Sequence, residues 1–228
     1  MFHMLRILSI FLLSVITSAA QAQLSSITNT DAASGLRQAL TEGAAAAVSK
    51  LGVDGGFFNN PQVKIPLPPV LSRVEGAMRT FGMRQQADDL VLSMNRAAEA
   101  AVPEAKTLLV DAAKKMSLQD AKGILSGGQT SVTDYFRRTT STQLTQRFLP
   151  IVKGATERVG LAQQYNSLAG QASSFGLVKK DQSTIEGYVT QKSLDGLYLM
   201  IGEEEKALRA NPIGAASDIV RKVFGAMK

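Results

Sequence analysis

Apolar residues recur at spacings of three and four along nearly every segment of this chain, and alternating strand-like runs are almost absent. That period is the turn of an α-helix, so each segment can hide its apolar stripe only against another helix. The expected fold is therefore all-α: a single-domain, multi-helix bundle. No segment repeats at a fixed period, which disfavours a solenoid.

The N-terminus reads differently. Arg6 precedes an apolar run from Ile7 to Ile16, and small residues follow up to Ala20-Gln21-Ala22. This is the three-part pattern of an export signal, with cleavage expected after Ala22. Ten apolar residues fall short of the roughly 20 a membrane-crossing helix needs. No cysteine follows to accept a lipid. Residues 1–22 are thus expected to be a signal peptide and residues 23–228 a periplasmic all-α domain without a transmembrane segment.

Losing the signal removes His3, the only histidine, and the chain has neither cysteine nor tryptophan. Cysteine nucleophiles, Ser-His-Asp triads, histidine bases and His/Cys zinc sites are excluded from the mature part. Disulfides are excluded too, so packing must stabilise the fold. None of the Ser/Lys, nucleophile-elbow, phosphate-loop or calcium-loop patterns occurs, and nothing calls for a cofactor or a metal. Of the 25 basic and 19 acidic residues only Arg6 leaves with the signal, so the charge drops from +6 to +5. This mild balance suits contact with an anionic membrane surface and equally suits simple solubility. No nucleic-acid recognition motif is present.

Along the mature chain, Leu24 to Thr30 reads as a lead-in, and Asp31 as the cap of a helix reaching Leu51. Gly52 to Pro69 holds four of the seven prolines, yet it is rich in Phe, Val, Ile and Leu. It is expected to be an ordered belt lying on the bundle, not a domain boundary. Helices are expected from Pro69 to Thr80 and from Arg84 to Met116, the second kinked or restarted at Pro103. Its buried stripe is expected to run through Val91, Met94, Ala98, Ala101, Ala105, Leu108 and Ala112. Ser117 and Asp120 form a capping box for a short helix ending at Gly127. A helix from Thr130 or Ser131 should pass Pro150, with a bend, to about Val159, and another should cover Ala162 to Ala172. Ser173 to Ser183 should be a surface loop. Ser183 and Glu186 suggest the cap of a long helix ending near Ala210, and Asn211-Pro212 opens a last one carrying Ile213, Ile219, Val220, Val223 and Phe224.

Three constellations could carry chemistry. Leu197, Ile201, Glu204 and Leu208 follow spacings of four, three and four, which sets the Glu204 carboxylate in an apolar stripe with Glu203 and Glu205 on more exposed faces. Such a group is a ligand-binding or acid-base residue, or one half of an ion pair with an arginine from another helix. Arg137, Arg138 and Arg147 could bind an anion or form salt bridges on a solvated face. Arg96 and Glu99 form an i,i+3 pair that is superficial unless other helices cover it. Adjacent Asp88 and Asp89 point about 100° apart on a helix and read as an exposed face.

The strings Phe58-Asn59-Asn60-Pro61, Ile65-Pro66-Leu67-Pro68, Ser93-Met94-Asn95-Arg96-Ala97-Ala98-Glu99, Asp134-Tyr135-Phe136-Arg137, Leu194-Asp195-Gly196-Leu197 and Asn211-Pro212 extend across roughly residues 35 to 225. By these the chain resembles the DUF4197 family of exported, helical bacterial proteins, a domain of unknown function. The resemblance implies no activity and supplies no catalytic residue. It marks Asn59, Asn60, Arg96, Glu99, Tyr135, Arg137 and Glu204 as candidate binding residues. The reading that follows is a non-enzymatic envelope protein that binds a small molecule or a protein partner. The alternatives are a carboxylate-dependent hydrolase or lyase acting on envelope polymer, with Glu204 as acid or base, and a structural or assembly factor touching its partner through Phe57 to Leu71.

Overall fold

A computed structural model describes residues 28–176, 179 and 183–211. The expected export signal and the expected last helix lie outside them. The described residues form α-helices joined by turns, with no strand among them: α1 (Asn29–Leu51), α2 (Pro69–Thr80), α3 (Arg84–Ala101), α4 (Ala105–Lys115), α5 (Leu118–Ser126), α6 (Ser131–Thr156), α7 (Gly160–Ser174) and α8 (Ile185–Ala210). The fold is all-α, as the spacing of apolar residues requires.

Caps explain several boundaries. Thr28, not Asp31, caps α1: the Thr28 hydroxyl accepts from the Asp31 amide while the Asp31 carboxylate takes the Thr28 amide. Asp31 is therefore the third residue of the helix and not its cap. Ser117 and Asp120 make the expected box on α5. At α8 the cap falls one residue later than expected, on Thr184, which accepts from Gly187. Glu186 is instead held by the Asn166 amide of α7, at 2.9 and 3.2 Å, while Asn166 Oδ1 accepts from Ile185 N at 2.7 Å. Pro103 sits in a short 3-10 turn, Val102–Glu104, between α3 and α4, where its missing N–H costs nothing. Pro150 lies inside α6, which ends at Thr156.

The core is one cluster to which every helix contributes, and α8 lies at its centre, packed on α6, α1 and α3. Leu197, Tyr198 and Ile201 of α8 belong to the same buried cluster as Leu36 of α1, Met94 of α3 and Phe136 and Leu144 of α6. The stripe on α3 and α4 differs from the expected one. Met94, Ala98, Ala101 and Ala105 are buried, but Val91, Leu108 and Ala112 are only half-buried, while Leu90, Ala97, Leu109 and Ala113 are fully enclosed. Because α1, α6 and α8 surround these helices, more than one face is covered and a single stripe under-describes them. The orphan carbonyls at the end of α4 are met from other helices: Tyr135 Oη donates to Ala112 O at 2.7 Å and Arg37 Nη2 to Met116 O at 2.8 Å.

The segment between α1 and α2 packs on the helices as a belt. Phe57, Val63, Ile65, Leu67 and Pro68 are buried. Its entry requires two glycines: Gly55 has φ +85°, and a side chain at Gly56 would collide with the carbonyl of Leu51.

Candidate functional site

The densest polar arrangement fastens the belt to α3. Belt backbone cannot pair with a helix, whose own amides and carbonyls are engaged, so side chains must satisfy it. Asn95 does this for Ile65 in both directions: Oδ1 accepts from Ile65 N at 2.8 Å and Nδ2 donates to Ile65 O at 2.9 Å. One turn later Glu99 Oε1 accepts from Phe57 N and Phe58 N, each at 3.0 Å, while Oε2 takes Arg96 Nη1 at 2.6 Å. Asn95 and Glu99 are both buried. Burial alone would push the Glu99 pKa up, but the Phe58 amide, the Arg96 guanidinium and the Phe57 and Gly55 amides outweigh it and hold the group below the usual carboxylate range.

The far side of the belt rests on α8. A Cβ on Gly196 would come within 2.8 Å of the Phe57 ring and 3.2 Å of Val63, so only glycine lets the buried Phe57 lie there. Tyr188 Oη donates to Pro66 O at 3.2 Å, and burial raises its pKa to about 12, so it stays a donor. Asn60 shapes the turn by accepting from Gln62 N at 3.1 Å, and Asn59 N bonds to Gly55 O at 3.0 Å.

The structure thus gathers Asn59, Asn60, Arg96 and Glu99 but scatters the other three candidates. Arg96 is 41% exposed and also lies 3.5 Å from Asp54, so the Arg96–Glu99 pair is open at its arginine and sealed at its glutamate. Tyr135 is buried and ties α6 to α4. Arg137 meets Asp195 of α8 at 3.2 Å and lies over the Tyr198 ring at 4.8 Å. Arg138 reaches Asp120 at 3.1 Å and Arg147 lies 3.8 Å from Glu104, so each of the three arginines has a carboxylate partner.

Glu204 is not the buried carboxylate. Its side chain is 21% exposed and pairs with Lys50 of α1 at 2.6 Å, whereas its neighbour Glu205 is 4% exposed. At 100° per residue, Glu205 lies about 40° from Ile201 around α8 and Glu204 about 60° to the other side. The core centre falls between Ile201 and Glu205. The arginine comes from the same helix: Arg209 Nε and Nη2 both donate to Glu205 Oε1, at 2.9 and 2.7 Å. Burial pushes the Glu205 pKa up, and Arg209, the Val132 amide and Ser131 do not fully offset it. No donor among the described residues reaches Oε2 in hydrogen-bond geometry.

Glu204 and Glu205 line a narrow cleft that encloses only about 10 Å³ and whose other walls are Ala39, Leu40, Gly43 and Ala44 of α1, Val132 and Phe136 of α6, and Ile201 and Leu208 of α8. Arg137 does not line it. Wider grooves lie at the surface between the belt, α2 and α3 and where α3 meets the α6–α7 turn. No group of three or more acidic residues able to hold a metal occurs among the described residues. Asn95 and Gly196 were not singled out, although both lie inside strings that mark the resemblance. Asn95 is four residues before Glu99 and so on the same helix face, which is the signal that could have found it.

Four of those six strings share a purpose: Phe58-Asn59-Asn60-Pro61, Ile65-Pro66, Asn95 to Glu99 and Gly196 meet along the belt. The chain matches the family described as Protein of unknown function (DUF4197) over residues 26–225. It belongs to that family. No curated protein and no solved structure matches it. Membership in DUF4197 brings no activity with it, so function has to be argued from the molecule.

Proposed function

We propose that this DUF4197 protein is an exported, non-enzymatic binding protein of the bacterial envelope that rests on an anionic membrane surface through α2. The supporting observation is an uncovered apolar stripe. Val70, Val74, Ala77 and Phe81 follow spacings of four, three and four and are exposed, Phe81 by 80%. Leu71 and Met78, on the adjoining face, already dock α2 on α3. An amphipathic helix with two apolar faces, one unpartnered, is built to meet a second surface. Arg73 flanks the stripe and Lys64 lies nearby in the chain, whereas Arg79 and Arg84 are paired with Glu75 and Asp88; these two cations and the positive net charge favour an anionic partner. No helix among the described residues is long and apolar enough to cross a membrane, so this contact would be peripheral.

A catalytic role finds less support. Glu204 and Glu205, which line the cleft between α1, α6 and α8, are both in ion pairs, and that cleft encloses only about 10 Å³, room for roughly one water, against the roughly 300–1,000 Å³ of ordinary small-molecule sites. The belt is a poor assembly surface because its Phe57, Val63, Ile65 and Leu67 side chains are buried.

Export is tested by the denatured mass of periplasmic protein, expected to match a chain beginning at Gln23. Flotation with phosphatidylcholine vesicles, with and without about one-third phosphatidylglycerol, tests the membrane contact. Binding should require the anionic lipid, weaken with salt, and be lost in Phe81→Glu and Val74→Glu. Failure to float with either vesicle, or self-association abolished by the same substitutions, would make the stripe a protein interface and end this reading.

A further inference from the structure

A membrane contact through the exposed stripe alone leaves half of the apolar surface of α2 unused. At 100° per residue, Ala77, Val70, Phe81, Val74, Met78 and Leu71 succeed one another within about 120° of arc, and every polar or charged residue of the helix falls outside it. The exposed stripe covers about 60° of that arc. Leu71 and Met78 complete it, but they are buried against α3. A helix lying in a membrane interface turns a face of about 100° or more toward the acyl chains. On α2 a face of that width is free only when the helix leaves α3.

Its attachments are few. Two of its twelve residues are buried, against eight of eighteen in α3. Among the described residues its side-chain hydrogen bonds and its ion pair are internal, Arg79 with Glu75 and Thr80 with Gly76. The chain is fastened just before it, where Asn95 grips Ile65 at 2.8 and 2.9 Å and Tyr188 donates to Pro66 O at 3.2 Å. It is fastened again just after it, in the buried face of α3. At the entry to α2, Pro68 makes no side-chain cap and Pro69 has no amide to donate. At its exit Gly82 has φ +77°, with open space where a side chain would sit.

We propose that α2 is a hinged flap that lifts from α3 as a unit, turning about Pro68 and Pro69 at one end and Gly82 at the other, and that lifting delivers its whole apolar arc to an anionic membrane. This rests on the peripheral membrane contact through α2 and adds to it a docked and an inserted state. In water the docked state dominates, because lifting would expose Leu71 and Met78. At a membrane those two side chains are covered in either state and the stripe is covered as well, which shifts the balance toward the lifted helix. A lone helix of twelve residues is marginal in water, so α2 melts when it lifts there and re-forms at the interface.

Hydrogen exchange on the unmodified full chain, in buffer and with vesicles of phosphatidylcholine and about one-third phosphatidylglycerol, tests the flap. In buffer the amides from Ser72 to Thr80 should exchange together, about tenfold or more faster than those from Leu90 to Ala98 of α3, and the vesicles should slow them. The chain has no cysteine, so Val74→Cys and Met78→Cys each carry one fluorescent label, and brominated lipid in the vesicles should quench both. Flotation is scored on the same samples. Protein that floats while its α2 amides exchange in buffer as slowly as those of α3, or while lipid quenches the label at Val74→Cys alone, keeps the membrane contact and overturns the flap. Protein that does not float overturns both. If labelled Met78→Cys does not fold, the exchange measurement on the unmodified chain still decides.

Discussion

At Glu99 burial and hydrogen bonding oppose each other, and hydrogen bonding wins because three backbone amides and a guanidinium converge on one carboxylate. Glu99→Gln keeps the shape but replaces acceptors with a donor facing the Arg96 or belt N–H groups. It should cost about 2–4 kcal/mol in urea denaturation. The sign with pH follows from the lowered folded pKa. The ionised form is favoured by folding, so this contribution is complete above the ordinary value of 4.5 and is lost as pH falls through the lower folded value. The gap in stability between wild type and Glu99→Gln should therefore be constant from pH 7 to about 5 and close below that. A gap independent of pH would mean that the charge of Glu99 does not hold the belt. Glu205 runs the other way: its raised pKa favours the protonated form on folding, so its contribution is present below 4.5 and fades as pH rises through the folded value.

Among elements, the belt and α8 meet where one glycine decides the fit. Gly196→Ala drives a methyl into Phe57, which is fully enclosed and cannot retreat, and should destabilise by about 1–3 kcal/mol. Gly43→Ala, also at a mid-helix position, meets only an ordinary contact and should be neutral or stabilising by up to about 1 kcal/mol, since alanine is the better helix former. Thermal melts of the two variants side by side separate packing from propensity, because propensity alone predicts that both gain. The same scale shows how legible the elements were. Pro69 and the pair Ser117 and Asp120 mark helix starts through their own chemistry, and both starts are where the residues place them. Thr28 and Thr184 each have a neighbour of similar capping power, Asp31 and Ser183, and local chemistry could not choose between them.

For the whole molecule, α8 is the last described helix yet packs on α1, α3 and α6, so the centre of the core is completed only by the chain's final third. A chain ending before Thr184 should keep helical circular dichroism but lose a cooperative melt, whereas an independent N-terminal unit would keep both. Period, caps and prolines acted locally, so the sequence by itself determined that the protein is helical, where most helices begin and that the proline-rich segment is apolar enough to be held. The tertiary structure alone decided which carboxylate is buried, since Glu204 and Glu205 differ by one step around α8 and only the placement of α1 and α6 sets which of them faces inward. It also decided that Asn95, Glu99 and Gly196 form one clasp: they act on the belt from two helices about a hundred residues apart, and no local rule carries that distance.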